Sequence, residues 1–194
     1  MSGGIYISYR PEDASSLAGR LYERLLGYFP QNTIFMDLDR VAHGEEFVRT
    51  IEEAIESSAI LIAVIGKQWL ISDLENLEDY VHLELTAAFK RNIRVIPVLV
   101  EEASMPRYDE LPDDLKALAP LHALRIRDAN FDADYRHLVS FLLVQRGLLL
   151  AEQGRVEEAE RAYREAVQIS PLHAYAHFIW AFCWQSRAAR RRPK

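Results

Sequence analysis

Short apolar runs alternate along the chain with longer stretches in which apolar residues recur every three or four positions. That alternation predicts strands separated by helices, the pattern of βαβ units around a parallel sheet. Ile5 to Ser8, Thr33 to Met36, Ala59 to Ile65, Val95 to Val100 and Leu124 to Ile126 read as strands, each brief, rich in β-branched residues and bounded by polar or turn residues. Helices are expected between them. Leu17, Leu21, Leu25 and Leu26 recur at helical spacing behind a suitable N-terminal turn, Pro11-Glu12-Asp13. Phe47, Ile51, Ala54 and Ile55 do the same after the second strand. A third helix, from about Glu78 to Arg91, places Tyr80, Leu83 and Ala87 near one face with Glu84 beside it. Pro106, Pro112 and Pro120 punctuate the segment before the fifth strand, where Leu111, Leu115 and Leu118 predict only a short helix. A last helix is expected to begin at Asp132 or Asp134.

The pattern changes at Ser140. Strand signals cease, and a continuous helical periodicity is interrupted at Gly154 and at Ser170-Pro171, as in a helical hairpin. Gly154, Ala159, Tyr163, Ala166 and Pro171 stand at the spacings of one 34-residue tetratricopeptide repeat, which this region resembles. It departs from that repeat where Leu143 replaces Trp, Arg146 replaces Leu before Gly147, and Leu150 replaces Tyr. One repeat does not stabilise itself, so Ala174 to Ala188 is expected to form a further helix, as a cap or as the start of a second repeat. The organisation expected is an α/β domain over 1–143, a helical extension over 144–188 and a basic tail over 189–194.

Composition narrows the function classes. A chain of 194 residues with 49% hydrophobic and 27% charged positions can bury one α/β core and a small appendage. A net charge of -6 argues against nonspecific nucleic-acid binding, which needs a broad basic surface. Arg187, Arg190, Arg191, Arg192 and Lys194 form a basic end, read as a solvated tail or as a contact for an acidic partner. The single cysteine, Cys183, rules out an internal disulfide and fits a reducing compartment. Neither a signal-peptide pattern nor a membrane span is legible, so a cytoplasmic protein without membrane contact is expected.

In open α/β sheets ligands bind beyond the carboxyl ends of the strands. The polar residues collect there: Ser8, Tyr9 and Arg10 after the first strand, Asp37, Asp39 and Arg40 after the second, Gly66, Lys67 and Trp69 after the third, and Glu84 on the following helix. Other chemistries lack their residues. Ser8-Tyr9-Arg10-Pro11 bears no relation to a G-x-G-x-x-G turn, and neither a P-loop nor a nucleophilic triad is present. Ser8 and Gly66 stand where a phosphoacceptor receiver needs carboxylates. Asp37 and Asp39 without further oxygen ligands do not make a metal site, and none is expected.

Ile5-Tyr6-Ile7-Ser8-Tyr9-Arg10, Phe35-Met36-Asp37-Leu38-Asp39-Arg40 with Gly44 and Phe47, Val64-Ile65-Gly66 with Trp69-Leu70, and Tyr80-Val81-His82-Leu83-Glu84-Leu85 together resemble a TIR domain of the bacterial type over residues 1–143. The resemblance implies a flavodoxin-like fold of five parallel strands. It implies that Asp37 to Phe47, with Arg40, His43, Gly44 and Phe47, is a mobile loop that mediates self-association. Many TIR domains cleave NAD⁺ between nicotinamide and ribose, some cyclising the product. On that basis Glu84 matches the catalytic glutamate, Arg10 and Asp39 contact the dinucleotide, and Tyr6 and Tyr80 are aromatic neighbours, with Ser8, Asp37 and Trp69 in the same group. NAD⁺ is then a substrate, and no cofactor is implied.

The chemistry is coherent with those residue types. Loss of cationic nicotinamide passes through an oxocarbenium-like state, which a carboxylate stabilises while holding ribose hydroxyls. A guanidinium suits a pyrophosphate, and a tyrosine face suits an aromatic base. Each residue also has a plainer role: Glu84 as a helix-surface glutamate, Tyr6 as core, Asp39 and Arg40 as turn residues, Trp69 as a packing cap on the third strand. Two functions follow. One is an NAD⁺ glycohydrolase of a signalling or defence system, activated by self-association. The other is a noncatalytic adaptor, in which TIR surface and helical hairpin recruit protein partners.

Overall fold

The computed structural model describes residues 3–36, 45–69 and 79–171, with only the backbone at 45–48. Asp37, Asp39, Arg40, His43 and Gly44, the side chain of Phe47, the helix expected at Ala174 to Ala188, Cys183 and the basic tail lie outside the described residues. The chain divides into two compact units, Met1–Ala129 and Asn130–Lys194.

The first unit is built on five parallel strands: β1 (Gly4–Ser8), β2 (Ile34–Met36), β3 (Ser58–Ile65), β4 (Arg94–Val100) and β5 (Leu124–Ile126). They lie in the order β2-β1-β3-β4-β5, the flavodoxin-like arrangement, and the order reverses between β1 and β3. Each expected strand is present within about one residue of its predicted ends, because an apolar run buried on both faces leaves little choice of state.

The helices follow from equally local causes. α1 (Pro11–Leu25) starts on proline, whose missing N–H costs nothing in a first turn, and carries Glu12 and Asp13 at the positive end of its dipole. Its Leu17, Leu21 and Leu25 are buried, whereas Leu26 falls just past the helix and is partly exposed. α2 (Glu45–Glu56) buries Ile51 and Ile55. With α3 (Tyr80–Lys90) it covers one sheet face, where Ile51, Ile55, Val81 and Leu85 pack on Leu61, Ala63 and Val95. The short helix expected before β5 is instead two 3-10 segments, Tyr108–Glu110 and Asp113–Leu118; closely spaced prolines interrupt a regular helical ladder.

The orientation of α3 differs from the periodicity reading. Its buried residues are Val81, His82, Glu84, Leu85, Ala87 and Ala88, while Tyr80 and Leu83 are only half-buried. A helix with apolar residues around most of its circumference does not single out a face, so neighbours on two sides decide it. Glu84 thus moves from beside the buried stripe to within it.

The second unit contains α4 (Phe131–Glu152) and α5 (Val156–Ile169), a helical hairpin turning at Gly154, whose φ of 76° is one that glycine adopts freely. Gly147 is fixed by contact: a Cβ there would lie 2.3 Å from Cε1 of Tyr163. Ser140 donates from Oγ to the carbonyl of Ala166 at 2.9 Å, and Ala159, Ala162 and Ala166 are buried. Leu143, in place of the repeat's Trp, is fully buried.

Candidate functional site

Side chains two apart on a strand share a face, so Tyr6 and Ser8 both project from β1 toward α3. There they meet Glu84. The Tyr6 hydroxyl donates to Oε1 of Glu84 at 2.8 Å, and the Ser8 hydroxyl donates to Oε2 at 2.5 Å. All three are buried, with exposures of 2%, 1% and 0%. A carboxylate in such a place is costly unless hydrogen-bonded, and pure packing would select a residue like the adjacent Leu85. The two hydroxyls, one on each oxygen, fix the plane of the carboxylate.

A second constellation adjoins the first. Arg10, two residues past β1 at the N-cap of α1, donates from Nε to the Trp69 carbonyl at 3.1 Å and from Nη1 to Oδ1 of Asp79 at 3.2 Å, while Nη2 pairs with Oδ2 of Asp79. Its guanidinium carbon lies 5.8 Å from the Trp69 ring centroid, within cation–π range. Both ends of the ion pair are over nine-tenths buried. Asp79 also caps α3, its Oδ1 accepting the Val81 N–H at 3.0 Å. The segment after β3 is held from another side: Oδ1 of Asp13 accepts the N–H of Gln68, and a Cβ on Gly66 would collide with the Asp13 carboxylate at 2.2 Å.

The structure therefore brings Tyr6, Ser8 and Glu84 together and sets Arg10 against Trp69. Tyr6 and Trp69 are 2% and 1% exposed, so neither ring presents a face on which a base can stack; both belong to the core of that sheet face. The Arg10 guanidinium is engaged by a protein carboxylate rather than open toward a pyrophosphate. Tyr80 is half-buried at the first position of α3. Asp79 was missed. Its signal was an aspartate directly before a helical apolar pattern, an N-cap signature that a start at Glu78 obscured.

Beyond the carboxyl ends of β3 and β4 lies an open cavity of about 430 Å³, bordered by Gly66, Lys67, Trp69, Glu102, Met105 and Arg107. Another, of about 270 Å³, is bordered by Tyr6, Phe35, Met36 and Ile51 beside β2. Glu84 lines neither of these two. On another side of α3, His82 Nε2 lies 2.8 Å from Oδ2 of Asp114, which also accepts the Thr86 hydroxyl at 3.1 Å. Partial burial pushes the Asp114 carboxyl up, but the hydrogen bond and charge of His82, with the Thr86 bond, outweigh it and hold the group below its ordinary value. Among the described residues no helix is long and apolar enough to cross a membrane.

Comparison with known proteins places these features. The chain is 26% identical over 149 residues to "NAD(+) hydrolase sarm1" of Drosophila melanogaster, covering 74% of this chain and 10% of that protein. It is 26% identical over 144 residues to "NAD(+) hydrolase tir-1" of Caenorhabditis elegans, covering 71% of this chain and 14% of that protein. The chain thus spans only a small fraction of the length of these curated relatives. A solved chain described as "Structure of the activated Roq1 resistosome directly recognizing the pathogen effector XopQ (TIR domains)" aligns at TM-score 0.41 and 16% identity, over 97% of this chain and 99% of that one. The tetratricopeptide repeat model matches residues 140–173. The TIR domain model matches residues 5–139, well over half the chain, and the protein belongs to the TIR domain family.

Proposed function

We propose that this TIR domain cleaves NAD⁺ at the bond between nicotinamide and ribose, with Glu84 as the catalytic carboxylate. The observation that carries the reading is the Glu84 carboxylate itself, buried within the fold and oriented by hydroxyls on both oxygens. Two relatives named as NAD(+) hydrolases support it. Departure of nicotinamide leaves positive charge on the ribose, and an oriented carboxylate stabilises that charge without reorganising. Ribose hydroxyls are donors of the kind that a carboxylate accepts, as it accepts the Tyr6 and Ser8 hydroxyls here. Water attack on the ribosyl cation gives hydrolysis; attack by a nucleophile of the same molecule gives a cyclic product.

Glu84 is closed to solvent in this structure, so on this reading catalysis requires that its carboxylate become accessible to the substrate. Self-association through Asp37, Asp39, Arg40, His43, Gly44 and Phe47 accompanies activation on this reading, and activity then rises with protein concentration. On this reading Asp37, Asp39 and Tyr80 contact the substrate. A cytoplasmic signalling or defence effector is the corresponding role.

The test is nicotinamide release from NAD⁺ by the full chain over a range of protein concentrations. Wild type is expected to release nicotinamide more than proportionately as concentration rises, and Glu84→Gln to release none above background. Equal release by Glu84→Gln, or none by wild type at any concentration, refutes the reading. The α4–α5 hairpin favours a second one, a noncatalytic adaptor whose helical extension recruits a protein partner. Its mark is a cellular effect that survives Glu84→Gln and is lost on disrupting the hairpin.

A further inference from the structure

We propose that Arg10 and Asp79 are positioning residues that set the start of α3, and with it Glu84, rather than contacts for the substrate. This inference rests on the reading of Glu84 as the catalytic carboxylate. The geometry points to it through three features. Arg10 is 7% exposed, and its side chain and that of Asp79 are 9% and 7% exposed, so the pair lies within the fold. The guanidinium is two-pronged on Asp79 and uses its remaining edge nitrogen on the Trp69 carbonyl, so all three nitrogens have protein acceptors. Asp79 passes the constraint on, because the oxygen that accepts from Arg10 Nη1 also accepts the Val81 N–H and starts the helix.

The consequence is geometric. One arginine, at the N-cap of α1 just past β1, joins Trp69, just past β3, to Asp79, at the N-cap of α3. Tyr6 and Ser8 stand on β1 two to four residues before Arg10, so this one stretch of chain holds α3 twice: through Arg10 at the cap and through the hydroxyls at Glu84. Glu84 comes five residues after the cap, about one and a half turns, so a shift of the first turn displaces its carboxylate from the hydroxyls. Lysine keeps the charge of Arg10 but lacks the planar fork, which makes it an informative replacement.

The experiment has two arms on the full chain. In the first, steady-state nicotinamide release is measured for wild type, Arg10→Lys, Arg10→Ala, Asp79→Asn and the double variant Arg10→Ala/Asp79→Asn. A positioning pair lowers kcat, by up to about 100-fold for a displacement of about 1 Å, and leaves KM for NAD⁺ within about twofold. The double variant is then no worse than the poorer single one. A rise in KM on Arg10→Ala that Asp79→Asn does not share overturns the proposal and restores Arg10 as a phosphate contact. In the second arm, amide hydrogen exchange across Val81 to Leu85 is followed in wild type, Arg10→Lys and Asp79→Asn, which needs no catalysis. Faster exchange in both variants supports the clamp, and unchanged exchange overturns it. Wild type that releases no nicotinamide refutes the catalytic reading alone, because exchange still decides whether the clamp sets α3.

Discussion

Replacing Ser8 by alanine removes one atom from a fully buried site, and the surroundings give its cost a definite size. Ser8 is 1% exposed, Glu84 is 0% exposed, and their 2.5 Å bond has an ionisable acceptor. Losing a hydrogen bond to a charged group costs about 1.5–3 kcal/mol, because the acceptor stays desolvated without its donor. With a urea slope of about 2 kcal/mol/M, the unfolding midpoint of Ser8→Ala falls by about 0.75–1.5 M. The cost belongs to the pair. In a Tyr6→Phe/Glu84→Leu background no carboxylate remains to be satisfied, and the same Ser8→Ala change is expected to be within about 0.5 kcal/mol of neutral. The assay is equilibrium urea unfolding followed by the fluorescence of Trp69, which is buried in the first unit, with Trp180 and Trp184 replaced by phenylalanine throughout. An equal loss from Ser8→Ala in both backgrounds would show that the hydroxyl acts through packing and would refute its role as a donor that satisfies the buried Glu84 carboxylate.

Two further outcomes test other parts of the molecule. Gly147→Ala drives a methyl to 2.3 Å from the Tyr163 ring, and overpacking of this kind is expected to destabilise the hairpin by about 1–3 kcal/mol in thermal unfolding; a variant as stable as wild type would show that the two helices part without cost. Asp114 titrates below its ordinary value of 3.8 in the folded chain, so the unfolded chain binds its proton first as pH falls. The stability it contributes is therefore complete above that value and is lost as pH drops from there through the lowered folded value. Asp114→Asn should flatten this part of an acid unfolding profile measured by circular dichroism; an unchanged acid limb would show that the His82–Asp114 contact adds nothing to stability.

The strands were legible because their apolar runs admit one state, and the TIR and repeat spacings were legible because several motifs fall in order. Two boundaries were less so. The segment between β4 and β5 has leucines at helical spacing, yet its prolines divide it into 3-10 turns. The TIR match ends at 139 and the repeat match begins at 140, both inside α4, which runs unbroken from Phe131 to Glu152. A helix crossing a family boundary leaves no loop, glycine or proline to mark it, while the compact units divide earlier, after Ala129.

The candidate site shows a different limit. Loops after parallel strands carry function, and on that ground the sequence groups Tyr6, Ser8, Arg10, Trp69 and Glu84 as neighbours of a ligand. Their proximity is real for the groups described, but residue types and positions do not say which polar groups consume one another. Tyr6 and Ser8 donate to Glu84, and Arg10 donates to Asp79, a residue outside that grouping. Satisfaction is a pairwise property across 76 and 69 residues of sequence, set by the β1 register and the rotation of α3. Periodicity does not decide that rotation because α3 is apolar on more than one side. The inward turn of Glu84 is thus the informative departure: a carboxylate that the helix could have left in water is carried into the fold and oriented by β1. Burial of that kind costs stability unless bonded, and the proposed roles of Glu84 and of the residues that brace it rest on that burial.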